Sequence, residues 1–195
     1  IPAARIRHDP PPGSATEQDV IDIEAREDKL YELIDGVLLE KAMGYYEAYL
    51  ASLLARLIGN YADQRDLGIV AGADGTLRLL PQQVRIPDVS FVSWERLPGR
   101  RLPAEPIPSL VPDLIVEVIS AGNTPEEMER KRREYLDAGV RMIWYVYPAT
   151  HTVCVYTDSG QMTELRRDDV LEGGDVLPGF RLPLADLFAV PRQET

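Results

Sequence analysis

Four charged side chains interrupt otherwise apolar patterns in this sequence, and their types suit one chemistry. Glu117 stands inside Leu114–Ile119, a nearly continuous apolar run of the kind expected of a strand covered on both faces. Strand alternation puts it on one face with Asp113, Ile115 and Ile119. Buried charges are paired or bind metal, so Glu117 marks an edge strand, an ion pair or a ligand position. Asp88 lies in Val84–Val92 on the face of Val84, Ile86, Ser90 and Val92. Pro87 before it cannot donate to a ladder, which predicts a bend or bulge; such features re-aim side chains beside active sites, or simply make a turn. Lys131 shares a helical face with Met128, Tyr135 and Ala138, spaced 3, 4 and 3. That apolar face should pack on the sheet and carry the ammonium toward Glu117, unless the stem lies along the surface with its head in water. Glu47 falls on the stripe of Leu50, Leu54, Ile58 and Tyr61, near a helix start where the dipole alone would favour a carboxylate. Glu32, in a hairpin with Asp35, and Ser120 are supporting candidates.

Taken together, these are acids and a lysine on separate elements, each on the side that faces the core. Hard oxygen donors of this kind suit Mg²⁺ or Mn²⁺ and not zinc. The two histidines, His8 and His151, fall in an arm and a hairpin, which excludes a histidine zinc site and a Ser-His-Asp triad. Cys154 is the single cysteine, so disulfide frameworks and four-thiolate zinc sites are excluded, and a cytoplasmic setting is the default. No Gly-rich phosphate loop of dinucleotide or P-loop spacing is present.

The elements that must position these residues follow from periodicity and turn chemistry. The 195 residues suggest one domain, 14–195, behind a flexible N-terminal arm, 1–13, with three consecutive prolines. Ser14 and Glu17 have capping-box spacing, predicting a helix over about 15–26. Asp35-Gly36 predicts a hairpin within 30–40. A long amphipathic helix spans 43–68 with Gly68 as its stop. Strands are expected over 69–80, with Asp74-Gly75 turning inside, and over 84–92; a proline-rich loop fills 94–112. A strand over 113–119, a helix opened by Thr124-Pro125-Glu126-Glu127 and closed by Gly139, and a strand over 141–147 make a crossover between parallel strands. A hairpin follows at 152–166, then a closing strand and a helical turn.

Composition restrains the partners. The chain is 45% hydrophobic and 27% charged, ordinary for a globular protein, and no apolar run is long enough for a membrane span. A net charge of -11 is awkward for a nucleic-acid reader, because phosphate binding draws on Lys and Arg. Two clusters could still touch phosphates: Arg96, Arg100 and Arg101 in the loop, and Arg130, Arg132 and Arg133 around Lys131. A solvated surface balanced by neighbouring acids is the other reading. Only Lys29, Lys41 and Lys131 are lysines, so a lysine in the core pattern is informative.

The stretches YELIDGVLLE (31–40), RIPDVSFVSWERLP (85–98), PDLIVEVIS (112–120), KRREYLDAGVRMIWYVYP (131–148) and LPGFRLPLADLF (177–188) resemble, in this order, the Uma-type restriction endonuclease family of the PD-(D/E)XK nuclease superfamily. The resemblance implies an α/β (mixed α+β) fold. Its restriction-endonuclease-like core is a central mixed β-sheet flanked by helices, in the order α-β-β-β-α-β, with an N-terminal and a C-terminal hairpin. It implies Mg²⁺ or Mn²⁺ held by Asp88, Glu117 and the carbonyl of Val118, with Glu47 as a further acid. The superfamily's lysine position, two beyond Glu117, is Ile119 here, and Lys131 takes its role from the following helix. Metal-assisted hydrolysis of DNA by a homodimer, leaving 5′-phosphate and 3′-hydroxyl ends, is the implied activity. The runner-up is a catalytically silent nuclease-fold protein with a binding or regulatory role.

Overall fold

The computed structural model describes residues 3–41 and 43–189; the first residues of the expected arm and the last six of the expected domain lie outside them. Helix α1 (Glu17–Glu27) opens at Thr16, whose N–H and hydroxyl both donate to the Asp19 carboxylate at 2.7 Å. The cap thus falls two residues past the predicted one; the Ser14 hydroxyl turns back to the Pro11 carbonyl at 2.7 Å. Strands β1 (Tyr31–Ile34) and β2 (Val37–Glu40) form the predicted hairpin. Asp35 and Gly36 both have positive φ, 49° and 76°, as a primed two-residue turn requires.

Helix α2 (Tyr45–Arg65) buries Leu50, Leu54 and Ile58 and stops at Asp66, which adopts the left-handed conformation and donates its N–H to the last turn. Gly68 is therefore not the stop. It begins β3 (Gly68–Ala71), where a Cβ would come within 2.1 Å of the Val92 carbonyl oxygen. Gly68→Ala is expected to cost about 1–3 kcal/mol through the forced shift of a paired strand, measured as a lowered midpoint in urea.

Next come β4 (Leu77–Leu80), β5 (Gln83–Arg85) and β6 (Val89–Ser93). The sequence predicts two strands across 69–92, and each is divided between two sheets. One sheet has the order β2-β1-β5-β4. The chain leaves it after Arg85, bends at Ile86-Pro87-Asp88, and enters the larger sheet as β6. Pro87 sits at the crossing, where no ladder donor is needed.

The larger sheet is completed by β7 (Leu114–Val118), β8 (Met142–Tyr147), β9 (Thr152–Thr157) and β10 (Met162–Leu165), in the order β10-β9-β8-β7-β6-β3. Among the described strands only β7 and β8 pair in parallel, joined by α3 (Pro125–Ala138). Thr124 caps α3, accepting from the Glu127 N–H at 3.2 Å, and Gly139 closes it at φ 96°. A small ribbon of β11 (Val170–Glu172) and β12 (Arg181–Pro183) and the short helix α4 (Leu184–Leu187) finish the described chain.

The central sheet carries a core on each face. Leu114, Val116 and Val118 of β7 pack toward α2, and Ile115 packs with Met128 and Tyr135 of α3. Alternation therefore turns Glu117 to the α3 side. Residues 3–13 differ from the loose arm expected of them. Arg7 donates its N–H to the Leu38 carbonyl at 2.9 Å, Ile6 bridges Leu39, and Gly13 donates to the Gly36 carbonyl at 2.8 Å. The exposed edge of β2 offers unpaired backbone groups, and this segment satisfies them.

Candidate metal and nuclease site

Three of the four residues that broke the apolar pattern, Asp88, Glu117 and Lys131, meet where the two sheets join. Asp88 hangs from the crossing segment, and its Oδ2 accepts the Val118 N–H at 2.7 Å. In a strand, the N–H and C=O of one residue point to the same side. The β6–β7 pairing ends at Val89 and Val116, so the Val118 N–H lies past the ladder and Asp88 meets it instead. The Val118 carbonyl is turned to that same side, and Val118 lines the cavity with Asp88.

Glu117, one residue back, points into the α3 side. Its Oε1 accepts from Lys131 Nζ at 3.2 Å and from the Tyr135 hydroxyl. Oε2 has no protein donor among the described residues. Lys131 points inward, 4% exposed, and also lies 3.0 Å from Glu32 Oε1. Glu32 in turn pairs with Arg85 Nη1 at 2.8 Å, and Arg85 reaches on to Glu134 with Nε at 2.9 Å. Both Glu32 and Arg85 are 1% exposed. A ladder of alternating charge therefore runs inward from the cavity: Glu117, Lys131, Glu32, Arg85, Glu134.

This ladder sets the protonation of its members. Burial works to raise the Glu32 carboxyl, but the Lys131 ammonium and Arg85 guanidinium override it and hold it at about 2. Burial dominates at Glu117, and the Asp88 and Glu32 charges add to it, so that carboxyl is raised despite Lys131. Burial works to lower Lys131, and Glu117 and Glu32 reverse this, so its pKa is raised and the ammonium is retained. Burial raises the Tyr135 phenol well above its usual range, which keeps it a donor to Glu117.

Three polar residues that sequence reasoning did not select line the same cavity, beside Met43. Lys41, just past β2, places Nζ 2.9 Å from Asp88 Oδ1 and donates to the Ile86 carbonyl at 2.6 Å. Arg5 reaches in from the N-terminal segment, 3.2 Å from Glu127 Oε1. Asn123 accepts from the Ser120 N–H and hydroxyl at 3.0 and 3.1 Å, tying the loop after β7 around the rim.

Other sequence candidates lie elsewhere. Glu47 does not line the cavity. It occupies the first turn of α2, and its carboxylate folds back over the helix start, so close to Gly44 that a Cβ there would come within 2.2 Å of Oε2. The helix dipole accounts for that placement. The arginines are largely committed within the protein. Arg96 holds Asp113 at 2.9 Å and the Gly139 carbonyl at 2.8 Å, and Arg100 pairs with Asp66 at 2.8 Å. Arg130 bridges Asp35 and Glu134, each at 2.6 Å, and Arg132 pairs with Glu129 at 2.6 Å. Arg101 and Arg133 are exposed, with no acid in pairing distance among the described residues.

The cavity has a volume of about 20 Å³, room for about one water-sized occupant. Among the described residues, no three His, Cys, Asp or Glu side chains converge as a metal cage. The donors available are Asp88, Glu117 and the Val118 carbonyl. Such a set fits Mg²⁺, which takes one or two carboxylates and completes its shell with water and phosphate oxygens. It does not fit zinc.

A mixed sheet flanked by helices, with its charged cluster at the carboxyl end of the parallel strand β7, has the restriction-endonuclease-like architecture. The sequence model of the Uma2 family, described as "Putative restriction endonuclease", matches residues 18–185, and the chain belongs to that family. Its fold is similar to the crystal structure of "a putative nuclease belonging to DUF820" from Anabaena variabilis ATCC 29413. The two share 20% identity over 83% of this chain and 90% of that chain, with a TM-score of 0.71. No curated protein matches the sequence. Among the described residues, no helix is long and apolar enough to cross a membrane.

Proposed function

We propose that the protein is a Mg²⁺-dependent endonuclease that hydrolyses phosphodiester bonds of DNA in the cytoplasm, with Asp88, Glu117 and the Val118 carbonyl holding the ion. The observation that carries this reading is the convergence of Asp88, Glu117 and Lys131 on one small cavity, with the Lys131 ammonium 3.2 Å from Glu117. An ion held by Asp88, Glu117 and the Val118 carbonyl would supply Lewis-acid polarisation of a phosphoryl oxygen and a water of lowered pKa. The chain's own residues supply the rest. Lys131, kept protonated between Glu117 and Glu32, orients the attacking water or meets charge developing on the phosphate. Arg85 and Glu134 hold Glu32, and through it Lys131, in place. Arg5 and Lys41 bring positive charge to the mouth of the cavity, where a phosphate enters. Glu47 has a dipole-stabilising role on this reading, and the arginines bound to internal acids hold loops. One site cuts one strand, and a homodimer, with two such sites, is the form that would cut both.

Nicking of supercoiled plasmid tests the reading. Wild-type protein converts plasmid to the open form with Mg²⁺ and not in EDTA. Removing a group that merely supports a metal ligand costs roughly 10–100-fold. Asp88→Asn and Glu117→Gln, which remove proposed ligands, are expected to lose more than that. Nicking that persists in Glu117→Gln, or in EDTA, removes this site as the catalyst. Protein that binds Mg²⁺ by calorimetry and never cuts is the silent nuclease-fold protein instead.

A further inference from the structure

A second hollow opens beside the cavity. Its floor is a part of the central sheet that α3 leaves bare, with Ile119, Tyr147 and Tyr156; its wall is the start of α3, with Asn123, Met128 and Arg132. Its volume is about 310 Å³, within the range of small-ligand sites. Two features make it continuous with the cavity. Asn123 lines both spaces. Ile119 lies two residues past Glu117 on the same side of the chain, a step of roughly 7 Å in extended backbone.

The chemistry of the hollow suits a flat ring and not a phosphate. The Arg132 guanidinium already lies over the Tyr156 ring, 5.0 Å from its centroid. Its charge is met by Glu129 at 2.6 Å, so the wall is near neutral. Tyr147 is half-buried, offering ring surface without being sealed in the core.

The charge distribution supplies the second argument. Affinity for a duplex comes mainly from cations tracking its phosphates. Here the net charge is -11, and Arg96, Arg100, Arg130 and Arg132 are engaged with acids of the same chain. Stacking of bases on aromatic rings is the other general source of affinity for a nucleic-acid strand, and it requires bases free of a partner strand.

We propose, resting on the nuclease reading above, that this hollow receives the unstacked base of the nucleotide next to the cleaved phosphate. The substrate is accordingly a single-stranded or locally unpaired DNA segment.

Fluorescence anisotropy in EDTA, where no cutting competes, compares a labelled single strand with its duplex. The single strand binds roughly tenfold or more tighter. Tyr147→Ala weakens that binding by roughly five- to a hundredfold and leaves duplex affinity as it was. Tyr147→Phe, which keeps the ring, restores it. Equal affinity for the two forms, or full single-strand affinity in a folded Tyr147→Ala protein, overturns the proposal. So does a dimer that dissociates in Tyr147→Ala, which would assign the hollow to a second copy of the chain. Nicking assays on the same preparations separate the two readings. Mg²⁺-dependent cutting that is indifferent to Tyr147 on single strands removes the base site and keeps the nuclease. Tyr147-dependent binding by a protein that never cuts keeps the base site and removes the nuclease.

Discussion

Arg85→Met is expected to remove about 3–5 kcal/mol of folding stability, the usual cost of breaking a buried ion pair by deleting one partner. Arg85 is the sole cation between two buried acids on one side of the ladder, with Glu32 at 2.8 Å and Glu134 at 2.9 Å. Without it, Glu134 keeps Arg130 at 2.6 Å, and Glu32 keeps Lys131 and the Ile86 N–H at 3.3 Å. For a chain of this length the loss corresponds to a fall in melting temperature of roughly 6–20 °C. Arg85→Lys should recover only part of it, because an ammonium cannot fork to both acids as the guanidinium does. Thermal unfolding followed by circular dichroism decides the matter. A methionine variant that melts with the wild type would mean that the ladder contributes nothing to the fold.

Lys131→Met is expected to lower plasmid nicking by roughly 10²–10³-fold, the loss seen when one donor that stabilises transition-state charge is removed. Calorimetric binding of Mg²⁺ should survive the change, since Asp88, Glu117 and the Val118 carbonyl remain and one buried positive charge is gone. That combination, binding kept and cutting lost, separates a role in the chemistry from a role in holding the ion. Lys131→Arg should not rescue cutting. A planar guanidinium is larger than the ammonium, and the cavity of about 20 Å³ leaves it no room. The assay belongs well below the melting temperature, because Glu32 and Glu117 lose a partner. Full activity in a folded Lys131→Met protein would discard the assigned role.

Asp88, Glu117 and Lys131 were legible in the sequence for a shared reason. Each is a charge set into an apolar pattern whose period is clear, so the side it faces can be counted. Arg85 and Glu134 were not. Arg85 ends a strand of three residues, too short to show alternation. Glu134 lies in PEEMERKRREY, where acids and bases crowd every face and none stands out. Lys41 did leave a trace. In a chain with 18 arginines and three lysines, two of the lysines line the cavity. Glu47 was misplaced by counting a stripe through a first turn, where the helix end sets the side chain's direction. The two-sheet arrangement escaped because strand pairing is non-local: the turn at Asp74-Gly75 and the bend at Pro87 could be read in the 69–80 and 84–92 stretches, but not that each half joins a different sheet. The halves of the second stretch are drawn apart by partners far away in the sequence, β1 for β5 and β7 for β6, and β4 and β3 follow them.

The short crossing at Ile86-Pro87-Asp88 has an implication for assembly. Glu32 and Arg85 belong to the small sheet, Glu117 to the large one, and Asp88 to the segment between them. Docking the small sheet and assembling the charged cluster are therefore a single event. A newly made chain in which the hairpin of β1 and β2 has yet to settle lacks Glu32, one of the two acids that hold Lys131, and so leaves the charged cluster open until its fold is complete.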